Sequence, residues 1–423
     1  MYVSHRGKVI LSLTEKLVTP NDSSGVSVFK VSDKLSSTPK EEILRDYIVW
    51  NSTLIKRNSH IEPSELKIAF VGVYNSKCGI ATYSEAIYPE LSKYFKEYKI
   101  FSEYSEVEEK DPNIIRCWKR GQHLTELIEE IHKFNPDLVL VQHEYGIFPV
   151  AGHWLSFMSE LQKYKTFVAM HSVYTHKDKT VFDASIQNVI VHTEAGYDVL
   201  TKVKKIKANV SIIPHFCRPC EDSSRYYNCY HSEHTLVQFG FGFKYKGWEQ
   251  SIQIVNILKD EFPNIFFTGL FSESDFSASF HDQYYMELND EINRLGLTKH
   301  IAIIRGYQSD GSLESYLRTN RVAIFPYVEN GDHVVYGCSG AARLAMKMGI
   351  PTAVSKAPLF DDLEGVCPRS NTVEEFCDLL RSWFKDWKLK KIQVETQNKF
   401  LNSNTIEITA QRYLEVMIKG GIK

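Results

Sequence analysis

The stretch that decides the fold is Lys67–Ile87, KIAFVGVYNSKCGIATYSEAI. Its apolar run, KIAFVGV, has the continuous character of a parallel strand covered on both faces. The run stops at a polar loop, a Cys78–Gly79 pair follows, and ATYSEAIYPELSKYF then repeats its apolar residues at helical spacing. A helix N-terminus carries orphan N–H groups and the positive end of the dipole, so it suits an anion or a polar ligand edge. A glycine there lets the ligand approach the backbone. The competing explanation is a strand-to-helix turn that needs glycine only for its own geometry. This stretch alone favours the turn; the rest of the chain shifts the balance.

Downstream the rhythm repeats. EYKIF, DLVLVQH, KTFVAMH, NVIVHT and NVSIIPH read as short apolar strands, and LTELIEEIHKF and GHWLSFMSELQKY as amphipathic helices between them. The polar, Cys/His-rich segment FCRPCEDSSRYYNCYHSEHT interrupts the pattern. A second alternation then begins with TLVQFGFG and runs through NIFFTGLF, HIAIIRG, RVAIFPY and PTAVSK. Strands alternating with helices predict βαβ units and parallel sheets. The expected organisation is an N-terminal extension with one helix (1–66), a Rossmann-like domain (67–216) and a linker (217–234). A second Rossmann-like domain (235–390) and a closing helix (391–423), broken near Asn402–Asn404, complete it.

Composition bounds the function. At 423 residues the chain exceeds one ordinary core, and 43% hydrophobic with 24% charged residues is the make-up of a folded globular protein. A formal net charge of −2 argues against a globally basic nucleic-acid binder. No apolar stretch approaches the roughly 20 residues that span a bilayer, and the N-terminus makes a poor signal peptide. Eight scattered cysteines suggest a reducing compartment, so a cytoplasmic location is expected.

In an open α/β sheet, ligands bind outside the carboxyl ends of the strands. The residues found there are the candidates. Gln142–Phe148, QHEYGIF, places His143, Glu144 and Tyr145 after a strand, suited to reading hydroxyls, or to satisfying one another in a polar loop. His171 ends the next strand. Phe239–Glu249, FGFGFKYKGWE, combines Gly240 and Gly242 with Lys244 and Lys246 before a helix, a combination matched to a diphosphate. Ser339 and Gly340 open the helical segment SGAARLAMKMG, as an anion site or as an ordinary N-cap. Arg305 and Tyr307 follow the strand HIAIIRG. Cys217, Cys220, Cys229, His231 and His234 contain zinc-ligand types in no standard spacing. No G-x-S-x-G, H-E-x-x-H or EF-hand pattern occurs, which argues against Ser-triad and zincin hydrolases.

Taken in order, KCGIATYSEAI, DLVLVQHEYGIF, VAMHSVY, VIVHTEAGYDVL, NVSIIPH, FGFGFKYKGWEQSI, IRGY, VAIFPY and SGAARLAMKMGIPTAVS resemble the retaining GT-B glycosyltransferases, in particular glycosyltransferase family 4. The resemblance covers about Lys67 to Phe384. It implies two Rossmann-like doubly wound domains facing a central cleft, a nucleoside-diphosphate sugar as co-substrate, and no required metal or other cofactor. By resemblance, Gly242, Lys244, Lys246, Arg305, Tyr307, Ser339 and Gly340 bind the donor. Cys78, Gly79, His143, Glu144 and Tyr145 line the acceptor side, and His171 and Lys246 serve catalysis. One departure stands out. Many members carry a pair of glutamates, the second directly before A-M-x-x-G-x-P; here Tyr336 and Leu344 hold those positions. A branch with a Ser-Gly segment like Cys338–Pro351 lacks the pair, and Glu329 and Asp332 are nearby substitutes.

The expected activity is sugar transfer from a nucleoside diphosphate to the hydroxyl of a glycan or other acceptor, with anomeric retention. Two alternatives remain. One is a modified nucleic-acid base as acceptor, for which the basic, aromatic Ile114–His123 (IIRCWKRGQH) is the feature to watch. The other is a catalytically silent module that binds nucleotide-sugar or glycan.

Overall fold

The computed structural model describes residues 62–105, 109–177, 186–220, 234–273, 278–329 and 334–419, and the backbone of three strands nearer the N-terminus. Those strands, β1 (Tyr2–His5), β2 (Lys8–Leu17) and β3 (Val28–Val31), form an antiparallel sheet with β2 in the middle. They belong to a compact unit of residues 1–65, distinct from the unit that begins at Leu66. The sequence reading assigned no strand there, and the helix it placed in EEILRDYIVWNSTLIKR lies outside the described residues.

The second unit contains two α/β halves. The N-terminal half runs β4 (Lys67–Val71), α1 (Gly79–Ser92), β5 (Glu97–Glu103), β6 (Ile114–Trp118), α2 (Thr125–Phe134), β7 (Leu138–His143) and α3 (Ala151–Glu160). It continues through β8 (Lys165–Met170), β9 (Ser172–Tyr174), β10 (Asn188–Val191), α4 (Glu194–Asp198) and β11 (Asn209–Ile212). Seven strands pair in parallel in the order β11-β10-β8-β7-β4-β5-β6. β7 is buried along its whole length, as expected of a strand with helices on both sides. β6 went unread, because IIRCW, interrupted by Arg116 at a sheet edge, lacks the apolar run that marked the central strands.

The C-terminal half runs β12 (Thr235–Phe241), α5 (Trp248–Leu258), β13 (Phe266–Ser272), α6 (Ala278–Arg294), β14 (Ile301–Arg305), α7 (Asp310–Thr319) and β15 (Val322–Phe325). β16 (Val335–Gly337), α8 (Gly340–Lys347), β17 (Thr352–Ser355), β18 (Arg369–Ser370) and α9 (Val373–Lys385) follow. Its parallel sheet has the order β14-β13-β12-β15-β17-β18. Alternate residues divide between two cores: Leu236, Val322 and Ile324 on one face, and Val237, Phe239, Ala323 and Phe325 on the other.

Both sheets reverse their strand order, between β4 and β7 and between β12 and β15, which makes both halves Rossmann-like and the whole a GT-B fold. Two further connections tie the halves. β9 pairs antiparallel with β16, and Gly337 is required there, because a Cβ would lie 2.4 Å from the His171 carbonyl oxygen. After α9, α10 (Trp387–Ser403) gives way at Asn404 to α11 (Ile406–Lys419). α11 packs on α1, with the Tyr83 and Tyr413 hydroxyls 3.0 Å apart.

Candidate active site

Chemistry concentrates at the two reversal points. In the C-terminal half, Gly240, the penultimate residue of β12, has φ +134° and nothing within 4 Å of the place a Cβ would take. Two residues on, Gly242 has a different reason to be glycine: its Cβ would lie 1.9 Å from the Phe271 ring. Lys244–Lys246 form a single 3-10 turn, and Gly247 follows at φ +70°. A Cβ on Gly247 would meet the Pro326 carbonyl oxygen at 1.8 Å, because the loop after β15 presses on this turn.

Buried Gln238 fixes the turn from below. Its Nε2 donates to the Lys246 carbonyl at 2.7 Å while its Oε1 accepts from Ser251 Oγ at 2.6 Å. The Val328 N–H donates to the Tyr245 carbonyl at 2.9 Å and ties the turn to the loop beyond β15. Lys246 Nζ then donates to the Tyr327 hydroxyl at 2.9 Å and lies 4.2 Å from that ring's centroid. A cation therefore stands at the reversal point, where α/β sheets receive their ligands.

A cavity of about 360 Å³ opens at this place. Gly79, Tyr83 and His215 line it from the N-terminal half, and Gly240, Lys246, Tyr307 and Gly340 from the C-terminal half. Gly79 and Gly340 are each the first residue of a helix, and neither has an atom within 4 Å of its missing Cβ. Two helix N-termini thus face the cavity with backbone exposed, an arrangement that attracts anions. Ser339 is buried beneath α8 as its cap, its Oγ accepting from the Ala342 N–H at 3.3 Å.

The cations are not equivalent. Lys244 pairs with Glu287 at 3.0 Å and lies over the Tyr284 ring, and Arg305 pairs with Glu273 and Asp282. Neither residue lines the cavity. Arg343, absent from the sequence-level candidates, does line it: its guanidinium is buried, paired with Asp362, and donates to the Ser339 carbonyl at 3.2 Å. The carboxylate of Asp362 holds the Arg343 pKa above its ordinary value against the cost of burial. An arginine on the buried face of GAARLAMK was the available signal, since an unpaired charge is not buried there. Lys347 also lines the cavity and pairs with Glu314 at 3.0 Å. Lys246 has no carboxylate partner among the described residues.

Imidazoles gather at the N-terminal wall, and of His143, His171, His192 and His215 only His215 lines the cavity. His171 Nε2 meets Gln142 Oε1 at 2.8 Å, and its ring stands edge-on to Tyr83 at 4.9 Å. His215 meets the same tyrosine at 4.7 Å, and His192 Nδ1 lies 2.8 Å from the Ile213 carbonyl oxygen. Burial lowers the pKa of all of these, to about 4 for His192 and well below the ordinary value for His171 and His215. His143 is packed among Tyr145, Phe148 and Trp154, and burial lowers it to about 3. Burial raises Glu144 to about 7, while Tyr145 stands edge-on to Tyr174. Cys78, His143, Glu144, Tyr145, His171, Gly242, Lys244, Arg305 and Ser339 therefore lie off the cavity lining, and Gly79, Lys246, Tyr307 and Gly340 lie on it.

Two other sequence features have structural partners. In Ile114–His123, Arg116 pairs with Glu109 at 2.9 Å, Arg120 with Glu103 at 2.6 Å, and Trp118 is buried. Of the Cys/His pattern, Cys217 lines the cavity near the carboxyl end of β12, whereas His234 precedes its amino end between the Phe262 and Phe384 rings. Cys229, His231 and Asp332 lie outside the described residues. Among the described residues no helix is long and apolar enough to cross a membrane.

No protein-family model matches the sequence, and no curated protein does. Solved structures do. A glycosyltransferase from Rickettsia africae is 15% identical with a TM-score of 0.63, the match covering 84% of this chain and 98% of that one. Sucrose-phosphate synthase from Thermosynechococcus elongatus is 14% identical, TM-score 0.62, over 84% of this chain and 99% of that one. HepE from Anabaena, solved in complex with UDP and glucose, is 12% identical, TM-score 0.62, over 84% and 100%. The likeness is one of fold.

Proposed function

We propose that this protein is a glycosyltransferase that moves a sugar from a nucleoside-diphosphate sugar to an acceptor hydroxyl with retention at the anomeric carbon. The observation that carries the reading is Lys246, a cation without a carboxylate partner among the described residues, at the reversal point of a Rossmann-like sheet and on the same cavity as the α8 N-terminus. When the bond from the anomeric carbon to the diphosphate oxygen breaks, negative charge builds on the leaving phosphate. A fixed ammonium and a helix N-terminus aimed at that oxygen stabilise it without reorganising. The acceptor hydroxyl attacks from the face the leaving group vacates and passes its proton to the departing diphosphate oxygen, so no covalent nucleophile is assigned. Neutral His171 enters as a positioning residue through the edge of Tyr83. The acceptor lies toward Gly79 and the loop of His143, Glu144 and Tyr145. We place the protein in the cytoplasm, on its scattered cysteines.

A second reading, a silent binding module, is favoured by Leu344, which lines the cavity where many members of the resembled family carry a glutamate. One panel separates the two. UDP-, GDP-, ADP- and dTDP-sugars are scored by thermal shift and by nucleoside diphosphate release, on wild type and Lys246→Ala. Stabilisation by one donor with slow release, both lost in Lys246→Ala, supports the enzyme. Stabilisation without release, with candidate glycans and DNA present, supports the module. No response to any donor rejects the donor site.

A further inference from the structure

We infer that Glu314 reads the vicinal hydroxyls of the nucleotide ribose and makes this cavity selective for ribonucleotide over 2′-deoxyribonucleotide donors. The inference rests on the proposed nucleotide-sugar site and deepens it.

Glu314 is the one carboxylate among the described residues lining the cavity. A bare carboxylate repels a diphosphate, so its presence there needs a reason. Its charge is offset: Oε1 pairs with Lys347 Nζ at 3.0 Å, and Oε2 lies 4.0 Å from Arg318 Nη2. The Glu314 side chain nevertheless keeps 30% of its surface exposed, against 14% for Lys347, so it is the carboxylate that is left to meet a ligand. A carboxylate is an acceptor with several lone-pair directions. It suits a pair of neighbouring hydroxyl donors, which is how acidic residues hold ribose in dinucleotide sites.

Position separates ribose from the transferred sugar. α8 presents Gly340 to the cavity at its first residue and Lys347 at its last. A rise of 1.5 Å per residue puts the two about 10 Å apart. With phosphates at the Gly340 end beside Lys246, Glu314 stands roughly one nucleoside away along the helix. Leu313 and Tyr307 supply apolar surface beside it. The transferred sugar would lie toward Gly79, Tyr83 and His215, on the opposite wall. Glu314 sits on α7, away from Leu344 in sequence, so the motif at Leu344 gave no hint of it.

The test compares UDP with 2′-deoxy-UDP, ADP with 2′-deoxy-ADP and GDP with 2′-deoxy-GDP by calorimetry, on wild type, Glu314→Gln and Lys246→Ala. Wild type should bind the ribo form of its preferred base about tenfold to a hundredfold more tightly, the scale of hydrogen bonds to a charged group. Glu314→Gln should bring that ratio close to one, while Lys246→Ala weakens both forms and leaves the ratio in place. Because the readout is a ratio within each variant, a partly unfolded preparation does not mimic the result. Equal binding of ribo and deoxy forms by wild type, or an unchanged ratio in Glu314→Gln, overturns the assignment while leaving the diphosphate site standing. Failure of every nucleoside diphosphate to bind removes the donor-site reading itself, and this assignment with it.

Discussion

The two halves share a topology and differ in what they bring to the cavity. The N-terminal half brings neutral imidazoles, His215 on the wall and His143, His171 and His192 off it, all lowered in pKa by burial. The C-terminal half brings Lys246, the Arg343–Asp362 pair and the α8 N-terminus. A Rossmann-like sheet dictates where a ligand sits; side-chain charge decides which half takes its anionic end. The contrast predicts that the N-terminal half governs response to acid and the C-terminal half governs affinity for phosphate.

The largest effect should come from acid. A histidine whose folded pKa is depressed keeps its full stabilising contribution above the unfolded value, near 6.5, and loses it as pH falls toward the folded value. For buried His143 and His192 the window is about 6.5 down to about 3 and about 4, with a slope of up to about 1.4 kcal/mol per pH unit each. His171 and His215 act in the same direction. Glu144, raised to about 7, opposes them: its contribution is present below about 4.5 and lost as pH rises through about 7. Urea denaturation from pH 7.5 to 4.5 should show stability falling on acidification, less steeply in His143→Phe. A flat profile would break the comparison at its N-terminal end.

Next comes the buried ion pair. Asp362→Ala strands the Arg343 guanidinium and should cost about 3–5 kcal/mol by chemical denaturation, as removal of one partner of a buried pair does. The lysines follow. Lys246→Ala should lower nucleoside diphosphate affinity by about ten- to a hundredfold in calorimetry. Lys244→Ala should change it less than about threefold, because that lysine is half-exposed and paired with Glu287. Equal losses would mean that the carboxylate pairing does not sort these cations.

The glycines close the series, with the smallest effect at Gly79. Gly242→Ala should destabilise by about 1–3 kcal/mol through overlap with Phe271, and Gly79→Ala by close to nothing, since its Cβ meets open space. Thermal melts of both variants, with nucleoside diphosphate titrations, would separate a packing glycine from one that admits a ligand.

The fold was legible because parallel strands sheathed by helices must be apolar on both faces, so KIAFVGV, DLVLV and RVAIF announce themselves. The site was legible only in part. Lys244 and Lys246 are equivalent in the sequence, and what separates them is Tyr327 on one side and Glu287 on the other, partners 81 and 43 residues away. Gly240 and Gly242 look alike in the sequence; a φ of +134° sets the first apart, and Phe271, on the neighbouring strand, the second. Arg343 and Glu314 were missed because their partners, Asp362 and Lys347, come from other elements. Local pattern finds strand ends; long-range pairing decides which side chains at those ends remain available.

The seating of α11 against α1 has a consequence for biosynthesis. Tyr83 meets Tyr413 across 330 residues of chain, so the face of α1 that α11 covers stays open until α11 itself has left the ribosome. Contacts of such separation pay their loop-closure entropy late and slow folding. The N-terminal half is therefore made first and finished last. A nascent chain arrested after α9 should be cleaved by protease within α1, and chains that include α11 should be protected there.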